Sequence, residues 1–404
     1  MTVLLNPYVL SAASAFDGVY FDSDLENFDD RFSDPGGAVT LGASSIAFSS
    51  ASATSLDCVM SDTDSNPLQH AFSHFRWQVA GTIDAAWPGA GQQGLLIGGY
   101  PTGSSGAEFG SAIYSHGAGA DLTLEHMHAN GSDLSSFGGF PTFPNTFTAP
   151  VSFTADVQRQ GGDIVAEYMF DDGTYTGDDG PQTLTMKYDV TDSYTSPSYF
   201  LNALLRFVQG YLTVTYAKFS VSDPVPDIAI IGTSLTGSHK ASTWANGYAP
   251  LLKTAFGGSM IVCGAPSAEE TDWHNAYYTL LRMQPQKVLI ELGSNEVING
   301  RSLATIQTNL ANAHDTMVAA GATVGFVNII PWGSGSDTLV SDANSWLASN
   351  YPRVSDVYSV LTDGSGNLQS GYTAGGTWPH PNDAGHAAMA TQVESDLTSW
   401  GWWV

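Results

Sequence analysis

An apolar run that ends in a glycine and a serine constrains the fold of this chain more than any other feature. The run is Asp227-Ile-Ala-Ile-Ile-Gly-Thr-Ser-Leu-Thr236, and its β-branched residues, bounded by Pro226, are typical of a buried strand in a parallel sheet. Residues just beyond such a strand lie at the edge of the sheet where α/β folds bind ligands. Ser234 is therefore a candidate nucleophile, although the hydroxyl residues of this stretch are equally suited to capping a following helix.

Strands and helices alternate along the rest of the chain after this run. The apolar spacing predicts further strands at 259–263, 287–292, 323–330 and 356–362, and helices at 244–256, 273–282, 302–320 and 383–400. Alternation of this kind predicts a parallel, three-layer α/β domain over residues 227–404.

The part of the chain before the run has a different pattern. Residues 16–222 are rich in glycine, serine and aspartate, and short alternating runs are separated by turn clusters. The clearest predicted strands are 151–158, 163–170, 182–188 and 211–220. This pattern predicts an antiparallel β-sandwich, and most of it resembles the concanavalin-like jelly rolls that often bind or cleave polysaccharide. We expect residues 1–15 to form an N-terminal segment and the proline-bearing residues 223–226 to form a linker.

Length and charge narrow the classes of function. A chain of 404 residues is long enough for two domains, each with its own core. Its formal charge is −27, from 12 Lys and Arg against 39 Asp and Glu. Such a charge repels phosphate backbones and anionic lipids, so we expect no nucleic-acid partner and no membrane insertion. Neutral sugars are compatible with it. The first residues lack a basic leader, and we expect no signal peptide.

Cysteine and histidine spacing gives little reason to expect a metal or another cofactor. Cys58 and Cys263 fall in different predicted domains, so they should neither form a disulfide nor build a metal site. His126 and His128, in Glu125-His-Met-His128, share one face of a predicted strand and could begin a metal site. We expect a solvated strand face instead, because the sequence identifies no third ligand. The paired carboxylates of a glycosidase are not found either.

Four short motifs follow the predicted strands of the second domain or precede its last helix. They are Gly232-Thr-Ser-Leu-Thr236, Gly264-Ala-Pro-Ser267, Gly293-Ser-Asn-Glu296 and His380-Pro-Asn-Asp-Ala-Gly-His386. Their order and spacing resemble the blocks of the SGNH (GDSL-type) hydrolases, over the whole stretch from Asp227 to the C-terminus. One such motif would mean little, but four in order are specific. The resemblance implies a flavodoxin-like fold and ester hydrolysis without a cofactor.

The resemblance also implies roles for individual residues. Ser234 matches the nucleophile and His380 the base that accepts its proton. The N–H of Ser234, the amide of Asn295 and the backbone N–H of Ser267 match the donors that stabilise the oxyanion. Without the other motifs, Asn295 would be interpreted as a helix N-cap. By default, we interpret His386 as a residue on a helix face, packed behind the loop.

One position departs from the family pattern. An aspartate normally stands three residues before the histidine and orients its ring, whereas this chain has Thr377 there. Losing such an acid costs about four orders of magnitude in a triad that relies on it, but a dyad oriented by a backbone carbonyl can still work. Asp383 and Glu296 are near in the motifs, yet nothing places either on the imidazole. The residues that could line the substrate are Thr233, His239, Glu296, Thr377 and Trp378.

These observations favour a serine esterase that removes acyl groups, with acetyl the first choice, from a polysaccharide bound by the β-sandwich. The start Leu4-Leu-Asn-Pro-Tyr8 is similar to that of some phage and prophage structural proteins, which suggests an extracellular or virion-associated protein with possible virion or homo-oligomer contacts. The alternative is a non-catalytic adhesin or spike with a degenerate SGNH domain, and the threonine at 377 supports it. A free extracellular esterase with a carbohydrate-binding module is a third possibility.

Overall fold

The computed structural model describes residues 19–33, 39–60, 69–84, 93–101, 109–115, 122–130, 133–134, 142–143, 150–161, 163–171, 182–187, 200–221, 225–333, 335–374 and 380–403. In several strands of the first part only the backbone path is described. The predicted N-terminal segment 1–15, residues 223 and 224 of the predicted linker, Thr377 and Trp378 lie outside the described residues.

The first part of the chain is built almost entirely of strands. In chain order its elements are β1 (Val19–Asp22), α1 (Phe28–Arg31), β2 (Phe32–Ser33), β3 (Val39–Gly42), β4 (Ser45–Met60), β5 (Gln69–His70), β6 (His74–Ile83), β7 (Gln93–Pro101), β8 (Phe109–Ser115), β9 (Leu122–Asn130), β10 (Asp133–Leu134), β11 (Thr142–Phe143), β12 (Val151–Gln160), β13 (Asp163–Asp171), β14 (Gln182–Lys187) and β15 (Leu201–Ser220).

These strands form an antiparallel sheet whose main path is β10-β9-β8-β7-β15-β6-β12-β13-β14. The long strand β15 holds it together, because it pairs with β7 through residues 201–208, with β4 through residues 204–214 and with β6 through residues 212–220. Side chains of β6 alternate between buried and exposed positions, and Trp77 is completely buried among them. The prediction of an antiparallel β-structure is confirmed.

The second part of the chain alternates strands and helices. Its elements are β16 (Ile228–Gly232), a 3-10 helix (Trp244–Asn246), α2 (Tyr248–Ala255), β17 (Met260–Gly264), α3 (Glu270–Leu281), β18 (Lys287–Glu291), α4 (Ser294–Ile298), α5 (Leu303–Ala319), β19 (Thr323–Val327), α6 (Asp337–Asn350), β20 (Val354–Ser355), α7 (Val357–Leu361) and α8 (Asp383–Ser399).

The second sheet is parallel and has the strand order β17-β16-β18-β19-β20. This is the doubly wound, flavodoxin-like order, in which the direction of winding reverses between the first and third strands. Apolar residues of α3, α5 and α6 pack in one cluster, and those of α2, α7 and α8 in another. The predicted parallel α/β fold is therefore confirmed, with its switch point between β16 and β18.

One predicted strand is a helix instead. Residues 356–362 were expected to form the last strand, but that strand is the short β20, and Val357–Leu361 forms α7. The carboxylate of Asp356 accepts the backbone N–H of Ser359 at 3.2 Å and so caps a helix at this point. Val357 and Leu361, one helical turn apart, are both fully buried.

The two sheets share a buried boundary. Phe72, just before β6, forms an antiparallel bridge with Cys263 in β17, and Ser73 donates its N–H to the carbonyl of Val262 at 3.1 Å. Phe200 packs edge-on against Trp273 of α3, with ring centroids 4.9 Å apart. One apolar cluster runs without a break from the first sheet to the α3 side of the second. The second apolar cluster lies entirely within the second part of the chain.

Candidate active site

Three loops at the carboxyl edge of the parallel sheet bring the predicted site residues together. Ser234 follows β16, Asn295 lies in α4 directly after β18, and His380 immediately precedes the start of α8. Ser234 Oγ and His380 Nε2 are 3.0 Å apart. Both residues are 8% exposed, so the pair is close to the surface but shielded from bulk water. This distance allows a proton to pass from the hydroxyl to the imidazole.

The turn that carries Ser234 depends on the glycine before it. A Cβ atom at Gly232 would lie 2.2 Å from Oγ1 of Thr236 and 2.6 Å from Oε2 of Glu291. No side chain fits there, which explains why the apolar run ends in glycine. The close approach lets both threonines of the turn reach the carboxylate of Glu291.

Glu291, at the end of β18, anchors this turn from below. Its carboxylate accepts the N–H of Thr233 at 2.9 Å and the hydroxyl of Thr233 at 2.9 and 3.0 Å. It also accepts the hydroxyl of Thr236 at 3.0 Å, and Thr236 is within 2.8 Å of the Tyr248 hydroxyl. Burial raises the pKa of Glu291 to about 7, although the hydrogen bonds from both threonines oppose that rise.

The sequence analysis missed Glu291. The signal was an acidic residue at the end of an otherwise apolar strand, Lys287-Val-Leu-Ile-Glu-Leu292. A buried carboxylate must have hydrogen-bond donors nearby, and hydroxyl-bearing residues at the end of the neighbouring strand are suitable ones. Fixed donors on either side of Ser234 restrict how the nucleophile turn can move.

Two aromatic side chains enclose the imidazole of His380. The ring of His239 meets it at a centroid distance of 4.5 Å and an interplanar angle of 77°. The ring of Trp332 meets it at 5.6 Å and 89°. Both arrangements are edge-on, which is a favoured geometry for aromatic pairs. Their packing restricts the rotation of the His380 ring.

His386 lies behind this group, as expected for a residue on a helix face. It is completely buried in α8, its Nδ1 accepts the N–H of Tyr248 at 3.3 Å, and its Nε2 donates to the carbonyl of His239 at 3.2 Å. Burial lowers the pKa of His386 to about 4. The pKa of His239 is also lowered to about 4, mainly by burial and to a smaller extent by the charges of Lys240 and His386. Both rings are therefore neutral near pH 7.

Asn295 contacts the loop that carries the second motif. Asn295 is inside α4, whose N-cap is Gly293, so it does not cap the helix. Its amide donates to the carbonyl of Ala268 at 2.8 Å, which places the loop containing Ser267 against it. Ser267 itself is exposed and has a left-handed φ of 61°. Its role as an oxyanion donor stays a prediction.

Two of the residues expected to line the substrate do not. The side chain of Thr233 is directed to Glu291, and the residue is 1% exposed. Glu296 is fully buried, where its Oε1 accepts the N–H of Glu270 at 2.9 Å. It therefore supports the start of α3 and cannot reach a substrate. His239 is half-buried beside His380, as described above.

The two acids considered as partners for His380, Glu296 and Asp383, make their described hydrogen bonds with other residues. Glu296 is committed to α3, and Asp383 accepts the N–H and the hydroxyl of Ser242, both at 2.6 Å, and the amide of Asn246 at 3.0 Å. Asp383 thus holds the segment that leads into the 3-10 helix.

The described residues contain no group of three or more His, Cys, Asp or Glu side chains that could hold a metal ion. The side chains of His126 and His128, in β9, lie outside what is described. Cys58 and Cys263 are both buried. No helix in the described part of the chain is long and apolar enough to cross a membrane.

A doubly wound parallel sheet with a serine after its first strand, hydrogen-bonded to a histidine before its last helix, defines an SGNH-type hydrolase domain. The family comparison agrees. Residues 230–388 match the model of the GDSL-like lipase/acylhydrolase family, and this part of the chain is a GDSL-like lipase/acylhydrolase domain. Ester hydrolysis is the activity that the family implies. No curated protein matches the chain.

Several solved structures are similar to the chain at low identity. A member of the lipolytic G-D-S-L family from Veillonella parvula DSM 2008 is 18% identical over 42% of this chain and 97% of that one, with a TM-score of 0.37. The psychrotrophic esterase EstA from Pseudoalteromonas is 19% identical over 43% and 97%, with a TM-score of 0.34. A protein assigned as a GDSL-like lipase from Bacteroides ovatus is 11% identical over 85% and 83%, with a TM-score of 0.36.

Proposed function

We propose that this protein is a serine esterase in which Ser234 is the nucleophile and His380 the general base, and that its substrate is an O-acetylated polysaccharide. The observation that carries the catalytic part is the 3.0 Å contact between Ser234 Oγ and His380 Nε2. A serine hydroxyl is a weak nucleophile until an imidazole accepts its proton, and this contact supplies the acceptor.

The reaction follows from this geometry in two stages. Ser234 Oγ attacks the ester carbonyl carbon as its proton passes to His380 Nε2, and the carbonyl oxygen takes the negative charge. The tetrahedral intermediate then expels the alcohol oxygen of the sugar, which receives the proton from His380. Water then attacks the acyl carbon as one of its protons passes to His380. The bond between that carbon and Ser234 Oγ breaks, Oγ receives the proton from His380, and the carboxylic acid leaves. The protein ends in its starting state.

Asn295 is the side-chain donor proposed for the oxyanion. An amide carries two N–H groups, and one of those of Asn295 is used on the carbonyl of Ala268. That bond fixes the plane of the amide and leaves the second N–H for the substrate. The backbone N–H groups of Ser234 and Ser267 are the other proposed donors.

Hydrolysis of p-nitrophenyl acetate tests the catalytic proposal. We expect turnover by the wild type, and a loss of kcat by about 10⁴-fold or more in Ser234→Ala and in His380→Ala, because the two groups act as a unit. Ser345→Ala, on the exposed face of α6, is the control and should leave kcat unchanged. A wild type that does not hydrolyse this ester or an O-acetylated glycan would refute the proposal.

A polar strip on the first sheet supports the choice of a glycan. The strip consists of the outward-facing side chains of β6, β12 and the second half of β15. Aligned across the three strands it reads Ser220, Arg76 and Gln158 in one row, Lys218, Gln78 and Asp156 in the next, and Tyr216, Ala80 and Thr154 in the third. Planar amides and an aromatic ring on such a surface suit the hydroxyl edges and apolar faces of sugars.

The polar strip is also close to electrically neutral. Arg76 makes a two-pronged ion pair with Asp156, and Lys218 pairs with Asp22 at 2.8 Å. Cavities of about 410 and 240 Å³ lie on it, the larger beside His74 and the smaller beside Tyr216. On a chain with a formal charge of −27, a neutral concave strip suits an uncharged polymer.

Binding of the inactive Ser234→Ala variant to a panel of neutral and O-acetylated polysaccharides tests the role of the strip. We expect binding that is weakened at least tenfold in a Gln78→Ala, Gln158→Ala double variant, with Gln392→Ala in α8 as the surface-glutamine control. Equal binding by the Ser234→Ala protein, the double variant and the Gln392→Ala control would show that the strip does not bind the glycan. Glycan binding by a wild type without esterase activity would instead support a non-catalytic adhesin, the alternative that Thr377 favours.

The proposed setting is the cell exterior or a virion, where the protein would act on a surface glycan. The support is the N-terminal sequence Leu4-Leu-Asn-Pro-Tyr8 and its similarity to phage structural proteins. Immunodetection in purified particles, set against the particle-free supernatant, is the measurement. Detection only in the supernatant would favour a free extracellular esterase.

A further inference from the structure

The backbone around His239 is unusual. Ser238 and Lys240, the residues on either side of it, both have a φ of 66°. This left-handed conformation is unfavourable for most residues other than glycine and asparagine. It persists where the surrounding structure enforces it, often at functional sites. His239 is thus flanked on both sides by residues in this conformation.

Hydrogen bonds fix the backbone of His239 on both sides. Its N–H donates to the carbonyl of Ser234 at 2.8 Å, and its carbonyl accepts Nε2–H of the buried His386 at 3.2 Å. The first bond ties it to the nucleophile and the second to α8, the helix that begins just after His380. His239 is therefore held at a defined place between the two catalytic loops.

The side chain of His239 uses that place to contact His380. The two rings meet edge-on at 4.5 Å, and Trp332 encloses the His380 ring as well, at 5.6 Å. From these contacts we infer that His239 is a positioning residue, which holds the His380 imidazole in the rotamer that directs Nε2 to Ser234. The inference rests on the proposed function, in which His380 is the base.

The charge state of His239 fits this role. Burial is the largest cause of its lowered pKa, about 4, and the charges of Lys240 and His386 add to it. His239 is therefore neutral when His380 takes the proton from Ser234, and the two rings do not repel each other. A second imidazole with an ordinary pKa would be partly protonated near pH 6.5 and would oppose that step.

One ring nitrogen of His239 is not accessible to a substrate. Its Nδ1 is buried and has no hydrogen-bond partner among the described residues. An atom in that position cannot donate to or accept from a substrate without first being exposed. Packing against His380 is what the ring does in this structure.

Crystal structures and kinetics of His239→Phe, His239→Ala and His239→Asn test the inference. The phenyl ring can keep the edge-on contact, so His239→Phe should retain the 3.0 Å distance between Ser234 Oγ and His380 Nε2 and a kcat within a few-fold of wild type. The variants without a ring should lose that distance, and their kcat for p-nitrophenyl acetate should fall by about 100-fold with little change in KM.

His314→Ala is the matched control, because His314 packs against Tyr351 at a similar ring distance of 4.6 Å but far along the chain from the catalytic motifs. It should change neither the Ser234–His380 distance nor kcat. If His239→Ala or His239→Asn keeps both at wild-type values, the positioning role is wrong. If the wild type hydrolyses no ester, the proposed function fails, whereas the crystal structures still decide whether His239 orients His380.

Discussion

Replacing Glu291 with glutamine should change how the stability of this protein depends on pH. Glu291 is completely buried beneath the nucleophile turn, and burial raises its pKa from 4.5 to about 7. Below about pH 4.5 the carboxyl group is protonated in both the folded and the unfolded chain. As the pH rises through about 7, the unfolded chain ionises more easily than the folded one, so stability is lost. Glutamine has a similar shape and cannot ionise.

The size of the effect follows from the shift. Raising a pKa from 4.5 to about 7 corresponds to about 3 kcal/mol, because each tenfold change in an equilibrium constant is worth about 1.4 kcal/mol. The free energy of unfolding of Glu291→Gln, relative to wild type, should therefore increase by about 3 kcal/mol between about pH 4.5 and about pH 8. The absolute difference at low pH depends on how well the glutamine amide fits among Thr233 and Thr236.

Urea unfolding, followed by tryptophan fluorescence at a series of pH values, measures this difference directly. Glu394→Gln, on the exposed face of α8, is the control and should run parallel to wild type at every pH. A Glu291→Gln curve that also runs parallel to wild type would refute the reasoning, because it would mean that Glu291 ionises as easily in the folded chain as in the unfolded one.

Three further predictions concern the site and its surroundings. Asn295→Ala should lower kcat for p-nitrophenyl acetate by about 10²- to 10³-fold, and a rise in KM with kcat unchanged would contradict an oxyanion role. Gly161→Ala should destabilise the protein more than Gly300→Ala, as measured by thermal unfolding, because both have a φ of 67° but only a Cβ at Gly161 would strike Trp244, at 2.3 to 2.7 Å. Equal losses would show that the contact is unimportant. Asp383→Ala removes the acceptor of three hydrogen bonds and should lower the midpoint of thermal unfolding, with an unchanged midpoint counting against a structural role.

The parallel sheet and the Ser–His pair could be predicted because their signals are local. A buried parallel strand is a short apolar run, and Ile228–Gly232 is completely buried, as its composition predicts. Ser234 and His380 occupy motifs whose order along the chain resembles that of one family. Neither inference requires knowledge of which residues meet in space.

The contacts of Glu291 and His239 could not be predicted in this way, because their partners come from distant parts of the sequence. Glu291 meets Thr233 and Thr236 only when β16 and β18 lie side by side. His239 meets His380 only because two left-handed residues turn the chain back between the catalytic loops. Sequence spacing carries no record of either contact.

Short segments were ambiguous for a different reason. Five apolar-rich residues, Val357–Leu361, satisfy a strand pattern and a helix pattern equally well, and the cap from Asp356 decided the outcome. Glu296 is of a residue type that is usually exposed, but it is fully buried in α4, where its carboxylate accepts the N–H of Glu270 at the start of α3. Jelly-roll topology likewise depends on strand connections that alternation alone does not specify.

The buried boundary between the two sheets limits how this protein can be divided or recombined. Trp273 on α3 packs against Phe200, the residue just before β15. The bridge from Phe72 to Cys263 pairs with the outer edge of β17. The second part alone would expose Trp273 and its apolar neighbours to water and would be prone to self-association. Any chimera that borrows this hydrolase domain must therefore bring the matching surface of the first sheet, or replace Trp273 with a polar side chain.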